Sequence, residues 1–65
     1  MIDERIIKRI TRNLVDFGYP DLTEADVRTQ VELIEEGAAT PSDGLSVIGL
    51  FARTMLIENN IIKGE

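Results

Sequence analysis

Four basic side chains near the start of the chain form the charge pattern that could most readily bind a ligand. They recur at spacings of three and four residues, which places them on one face of a helix. Such a face can bind an acidic protein surface or the phosphates of a nucleic acid. Its members are Arg5, Lys8, Arg9 and Arg12, four of the seven basic residues in the chain. Because charged helix faces are usually just solvated, the pattern alone identifies no ligand.

Two glutamates have the spacing of half a carboxylate metal site. Glu32 and Glu35 lie three residues apart, but the sites of di-iron helical bundles also contain histidines. The chain has neither His nor Cys, so the usual nitrogen and sulfur ligands are missing. We therefore expect no metal and no other cofactor, and we expect these glutamates to face solvent.

Hydroxyl side chains that could act as nucleophiles also lack a partner. Ser42, Ser46 and Thr54 would need a general base, and the chain contains no His. Lys8 and Lys63 are not placed among apolar neighbours that would lower the pKa of an amine. We therefore expect that the protein is not an enzyme.

Apolar periodicity and capping residues predict three helices, at about residues 3–17, 24–36 and 41–59. The first carries an apolar stripe that runs to Phe17, and Gly18 is suited to end it. Thr23 is suited to cap the second helix, and Thr40 followed by Pro41 and Asp43 predicts the start of the third. The expected fold is all-α: a small three-helix bundle with short loops, in one domain over residues 1–65.

The third predicted helix is apolar on nearly all sides, so it needs more cover than two short helices provide. One wide stripe is expected in the core: Leu45, Ile48, Phe51, Ala52, Met55 and Leu56. Other apolar residues fall on the opposite side, which we call the outer face: Leu50, Ile57 and Ile61, with Gly49 and Arg53 beside them. Isolated exposed aliphatic residues are common on monomers, but this set favours a contact with a second subunit or another protein.

The small size of the chain favours the same conclusion. A chain of 65 residues buries only about 60% of its unfolded surface, so its stability is expected to be marginal. Without Cys or a metal, association is the remaining common means of stabilising such a domain, although dense packing of isoleucine and leucine could also suffice. The leading hypothesis is a protein–protein interaction module that self-associates as a homodimer through the outer face or binds a different protein there.

Composition limits the other classes of function. The net charge of −5 disfavours general binding to nucleic acid or to an anionic membrane. No apolar run approaches the roughly 18 residues needed to cross a bilayer. The first residues do not resemble a signal peptide, so a cytoplasmic location is expected.

Three nucleic-acid hypotheses rank below the interaction module. A regulator could bind nucleic acid through Arg5, Lys8, Arg9 and Arg12. A helix-turn-helix spanning Thr23 to Asn60 is a second possibility. Its recognition helix would carry only one basic residue, Arg53, and would place the acidic Asp43 at the N-terminal end that normally contacts DNA. An acidic mimic of nucleic acid ranks lowest, since the carboxylates are distributed over all three predicted helices.

Overall fold

The computed structural model describes residues 2–64, and Met1 and Glu65 lie outside the described residues. Three α-helices follow one another: α1 from Glu4 to Phe17, α2 from Glu24 to Glu35 and α3 from Val47 to Glu58. A single turn of 3-10 helix, Pro41–Asp43, lies between α2 and α3. Each helix packs against the other two. The described part of the chain contains no strand, and the predicted all-α three-helix fold is confirmed.

Capping residues mark the ends of the first two helices, and Gly18 and Thr23 do so as predicted. The Asp3 carboxylate accepts a hydrogen bond from the Arg5 backbone N–H at 2.9 Å. Thr23 and Asp26 form a reciprocal capping box, with both side chain to backbone distances at 3.3 Å. Gly18 ends α1 at a φ of 145°, a conformation that costs glycine little because it has no Cβ.

The core lies along the axis of the bundle and takes three residues from each helix or its approach. Its buried apolar side chains are Ile7, Ile10, Leu14, Val27, Val31, Ile34, Leu45, Ala52 and Leu56. Three residues of the predicted third-helix stripe, Ile48, Phe51 and Met55, are half-buried against this core. The apolar stripe of α1 faces the core as predicted, with one exception at Phe17.

The third helix begins six residues later than predicted. Asp43 does reach back to the Thr40 backbone N–H at 3.1 Å, but the turn that it closes contains only Pro41–Asp43. Gly44 then adopts a φ of 99°, which ends helical geometry. Ser46 caps the true α3, its hydroxyl accepting the Gly49 N–H at 3.3 Å. Residues 41–46 are thus a capped turn and a short extended link.

Hydrogen bonds to the Asp43 carboxylate hold this turn in place. The Ala39 backbone N–H and the Thr40 hydroxyl both donate to Asp43 Oδ2, at 3.1 and 3.0 Å. These bonds, with that from Ala39 the strongest, lower the pKa of Asp43 below its ordinary value. Charge on Asp43 therefore favours the turn, and this contribution is lost as the pH falls through the lowered pKa.

The chain turns back after α3. Asn60 has a φ of 58°, which asparagine tolerates better than most residues. The Ile61 N–H bonds to the Leu56 carbonyl at 2.9 Å, and Ile62 packs half-buried against the core. The tail thereby covers apolar surface that the helices leave open.

Candidate protein-interaction surfaces

The predicted outer face of α3 is partly covered by the chain itself. Leu50 is half-buried and packs against the core. Ile57 is also half-buried, and the tail passes so close to it that a Cβ added at Gly64 would lie 2.8 Å from Ile57 Cγ2. Ile61 is 37% exposed. The outer face is therefore less available to a partner than the sequence indicates.

Gly49, predicted to lie beside the outer face, points instead toward α2. It is buried, and a Cβ at this position would meet Gln30 Oε1 at 2.3 Å and Leu45 Cδ2 at 2.9 Å. The absence of a side chain lets α3 approach α2 closely, while Gln30 Oε1 accepts the Ser46 N–H at 3.0 Å. Gly49 is thus removed from the predicted contact residues, and its role lies in helix packing.

Two other predicted contact residues, Arg53 and Ile61, line one open groove. The groove has a volume of about 610 Å³ and is bordered by the end of α2, the following loop and both ends of the described chain. Its remaining lining residues are Ile2, Ile34, Glu35, Gly37, Ala38, Ala39, Ile62 and Lys63. Most of the lining is apolar, so part of the predicted outer face does open onto a concave apolar surface.

A second exposed apolar area lies where the end of α1 meets the start of α3. All three aromatic rings of the chain meet there, two from the end of α1 and the loop after it and one, Phe51, from α3. The ring centroid of Phe17 lies 5.3 Å from that of Phe51 and 6.4 Å from that of Tyr19, and the rings of Tyr19 and Phe51 are 6.2 Å apart. Phe17 is nevertheless 70% exposed.

Val47 extends this area along α3. It is 59% exposed and precedes Phe51 by four residues, so the two side chains are neighbours on the helix surface. We call Phe17, Tyr19, Phe51 and Val47 the aromatic surface. Sequence reasoning missed this surface because it placed Phe17 and Phe51 in the apolar stripes that were expected to face the core. The available signal was the position of Phe17 in the last turn of α1, next to the Gly18–Pro20 loop.

The structure places all four predicted cations on the exposed side of α1, and we call Arg5, Lys8, Arg9 and Arg12 the basic face. Arg5 contacts Asp3 at 3.5 Å and Arg12 contacts Asp16 at 3.9 Å, and both pairs are solvent-exposed. The Arg5 backbone N–H, followed by the Arg5 charge, lowers the pKa of Asp3. A further ion pair, Glu4 with Arg28, joins α1 to α2. Exposed pairs of this kind contribute little free energy of folding.

The structure also bears on metal binding and on the membrane. Within residues 2–64, no three His, Cys, Asp or Glu side chains are grouped as metal ligands would be. Glu32 and Glu35 both lie on the exposed side of α2. No helix in the described range has the length and apolar character required to span a membrane.

Comparison with known proteins gives no further assignment. No protein-family model matches this chain, and no curated protein or solved structure is significantly similar to it.

Proposed function

We propose that the protein is a non-enzymatic protein–protein interaction module that self-associates as a homodimer through the aromatic surface. The observation that supports this is the exposure of Phe17, 70%, beside that of Val47, 59%. Phe17 lies mostly in water while its ring contacts those of Phe51 and Tyr19, and aromatic side chains such as these are enriched at protein interfaces. Burying them against an identical surface would remove this apolar area from water on both subunits.

The outer face of α3 is the competing location for the dimer contact. Leu50 and Ile57 already pack within their own chain, which leaves mainly Ile61 and Arg53 for a partner. Charged Arg53 and a 37% exposed Ile61 offer less removable apolar surface than Phe17 and Val47. The aromatic surface therefore ranks first, and the outer face second.

Light scattering coupled to size-exclusion chromatography tests the proposal with variants on each surface. We expect the wild-type chain to be a dimer at high micromolar concentration, and Phe17→Glu and Val47→Glu to be monomers. Ile57→Glu and Ile61→Glu, which introduce the same charge on the competing surface, should remain dimers. Far-UV circular dichroism of each variant confirms that it is folded.

Three results would contradict the proposal in different ways. A monomeric wild-type chain would exclude self-association and leave a different protein as the partner. Dimers that persist in Phe17→Glu but dissociate in Ile57→Glu would move the contact to the outer face of α3. Dimers that persist in all four variants would exclude both surfaces.

A nucleic-acid regulator is the second candidate function, since all four side chains of the basic face are exposed. The net charge of −5 opposes it, because phosphate is repelled by the field of the whole molecule. A gel shift at low salt that is lost in Arg9→Glu would support this function. An acidic mimic of nucleic acid ranks below it because the carboxylates are spread over the molecule.

A further inference from the structure

We propose that the basic face of α1, with the groove beside it, binds an acidic segment of another protein that carries an apolar side chain among its carboxylates. The site lies on a different part of the molecule from the aromatic surface. It therefore goes beyond self-association and does not depend on it.

The cations of the basic face make at most weak, exposed ion pairs with the described residues. Lys8 and Arg9 form no ion pair with any residue in the described range. Arg5 and Arg12 have only the exposed contacts with Asp3 and Asp16, at 3.5 and 3.9 Å. Because contacts of that length in water are weak, a partner's carboxylates can replace them at little cost.

A groove beside these cations provides room for an apolar side chain. It has a volume of about 560 Å³ and lies between α1 and the start of α2. Val15 is half-buried in its lining and Thr11 is buried, with the Thr11 hydroxyl already donating to the Ile7 carbonyl at 2.8 Å. Arg5, Lys8, Arg9, Arg12 and Glu24 complete the lining. The site thus combines a partly apolar lining with a cationic border.

The carboxylates around the groove distinguish a protein segment from a nucleic acid. Glu24 lines the groove, and Asp3 and Asp16 contact its bordering arginines. Double-stranded DNA carries one negative charge per about 1.7 Å of its length, so a duplex would bring phosphates toward these carboxylates as well as toward the cations. No aromatic residue lines the groove, so a single strand would find no stacking platform. The net charge of −5 repels a short segment with a few carboxylates less than it repels a densely charged duplex. Such a segment can contact the cations and avoid Glu24.

Fluorescence anisotropy at low salt tests the proposal on the full chain. The probe is a labelled synthetic helical peptide in which several glutamates share one face with two leucines. We expect saturable binding that weakens by about tenfold in Lys8→Glu, since close charge pairs across an interface couple to about this extent or more. A peptide with glutamine in place of every glutamate should not bind, and added salt should weaken the interaction by screening.

Lys63→Glu is the matched control, because it makes the same substitution at another exposed lysine and should bind like the wild type. Arg12→Glu provides a second variant, and circular dichroism checks the folding of each. Phe17→Glu should bind the peptide normally, which separates this site from self-association. The proposal is overturned if the wild-type chain does not bind the peptide, if Lys63→Glu weakens binding as much as Lys8→Glu, or if a duplex DNA of equal charge binds more tightly than the peptide.

Discussion

Gly49 shows how a single residue can set the distance between two helices. It lies buried where α3 crosses α2, and Gln30 from α2 occupies the space that a side chain would need. The same Gln30 oxygen accepts the Ser46 N–H at 3.0 Å, at the residue that caps α3. The amide oxygen of Gln30 therefore both limits the space at Gly49 and accepts a hydrogen bond from the backbone of the residue that caps α3.

We expect Gly49→Ala to destabilise the protein despite the higher helix propensity of alanine. Propensity favours alanine by about 1 kcal/mol, but a methyl group forced into a packed site costs about 1–3 kcal/mol. Moving Gln30 aside would also leave the Ser46 N–H without its partner. The expected net loss is about 1 kcal/mol in the free energy of unfolding, measured by urea denaturation.

A double-mutant cycle with Gln30→Ala checks the cause of that loss. Removing the Gln30 side chain removes the nearer of the two clashes, at 2.3 Å, and leaves the one with Leu45 at 2.9 Å. Gly49→Ala should therefore cost less in the Gln30→Ala background than in the wild type. Equal costs in both backgrounds would show that Gln30 does not limit the space at this position.

At the scale of helices, the start of α3 depends on Ser46 and not on Thr40. The Ser46 hydroxyl accepts the Gly49 N–H, whereas Thr40 and Asp43 close the separate turn that precedes it. We expect Ser46→Ala to lower the free energy of unfolding by about 1 kcal/mol, the usual effect of losing an N-cap. In a domain of this size that is a fall of about 4–8 °C in the midpoint of thermal unfolding.

Thr40→Ala is the comparison for Ser46→Ala. It removes the Thr40 hydroxyl but leaves the backbone N–H that Asp43 accepts, so it should lower the midpoint less. If Thr40→Ala lowered helix content at 222 nm more than Ser46→Ala, the third helix would begin at Pro41 after all.

The sequence predicted the helices well where a single signal marks each boundary. The capping box at Thr23 and the glycine after Phe17 each have one interpretation, and both are observed. Two residues before α3, Thr40 and Ser46, can each act as an N-cap. Local propensity does not indicate which of the two precedes the long helix. Gly44, at a φ of 99°, ends the first turn and so leaves Ser46 as the cap of α3. The presence of a glycine four residues after Thr40 was the available signal that this turn would be short.

The candidate surfaces were less predictable than the helices. Hydrophobic periodicity shows toward which side of a helix a residue points, but it does not show whether neighbouring elements extend far enough to cover that residue. The apolar periodicity of α1 correctly predicts that its stripe faces the core, where Ile7, Ile10 and Leu14 are buried. Phe17 continues that stripe into the last turn, where Phe51 and Tyr19 contact it but leave most of the ring in water. The basic face was predictable because four charges opposite an apolar stripe must face solvent.

For the whole molecule, charge and apolar surface are segregated on different sides. The basic face lies along α1, while the aromatic surface lies where the end of α1 meets the first turns of α3. The remainder of the chain is strongly acidic, since only three of its bases lie outside the basic face against twelve acids in total. Two kinds of contact, one apolar and one ionic, could therefore be made at the same time.

Self-association should make the thermal stability of the protein depend on its concentration. A partner that binds only the folded chain raises the midpoint of unfolding as its concentration rises, so the wild-type midpoint should increase across a dilution series. Phe17→Glu should remove this dependence while changing the midpoint of the dilute protein little, because the 70% exposed ring contributes little to the monomer's own core. Ile61→Glu, in the turn that follows α3, should retain the dependence. A wild-type midpoint that is constant over the whole series would mean that a second copy does not cover the aromatic surface, and that the exposed ring of Phe17 is available to a different protein.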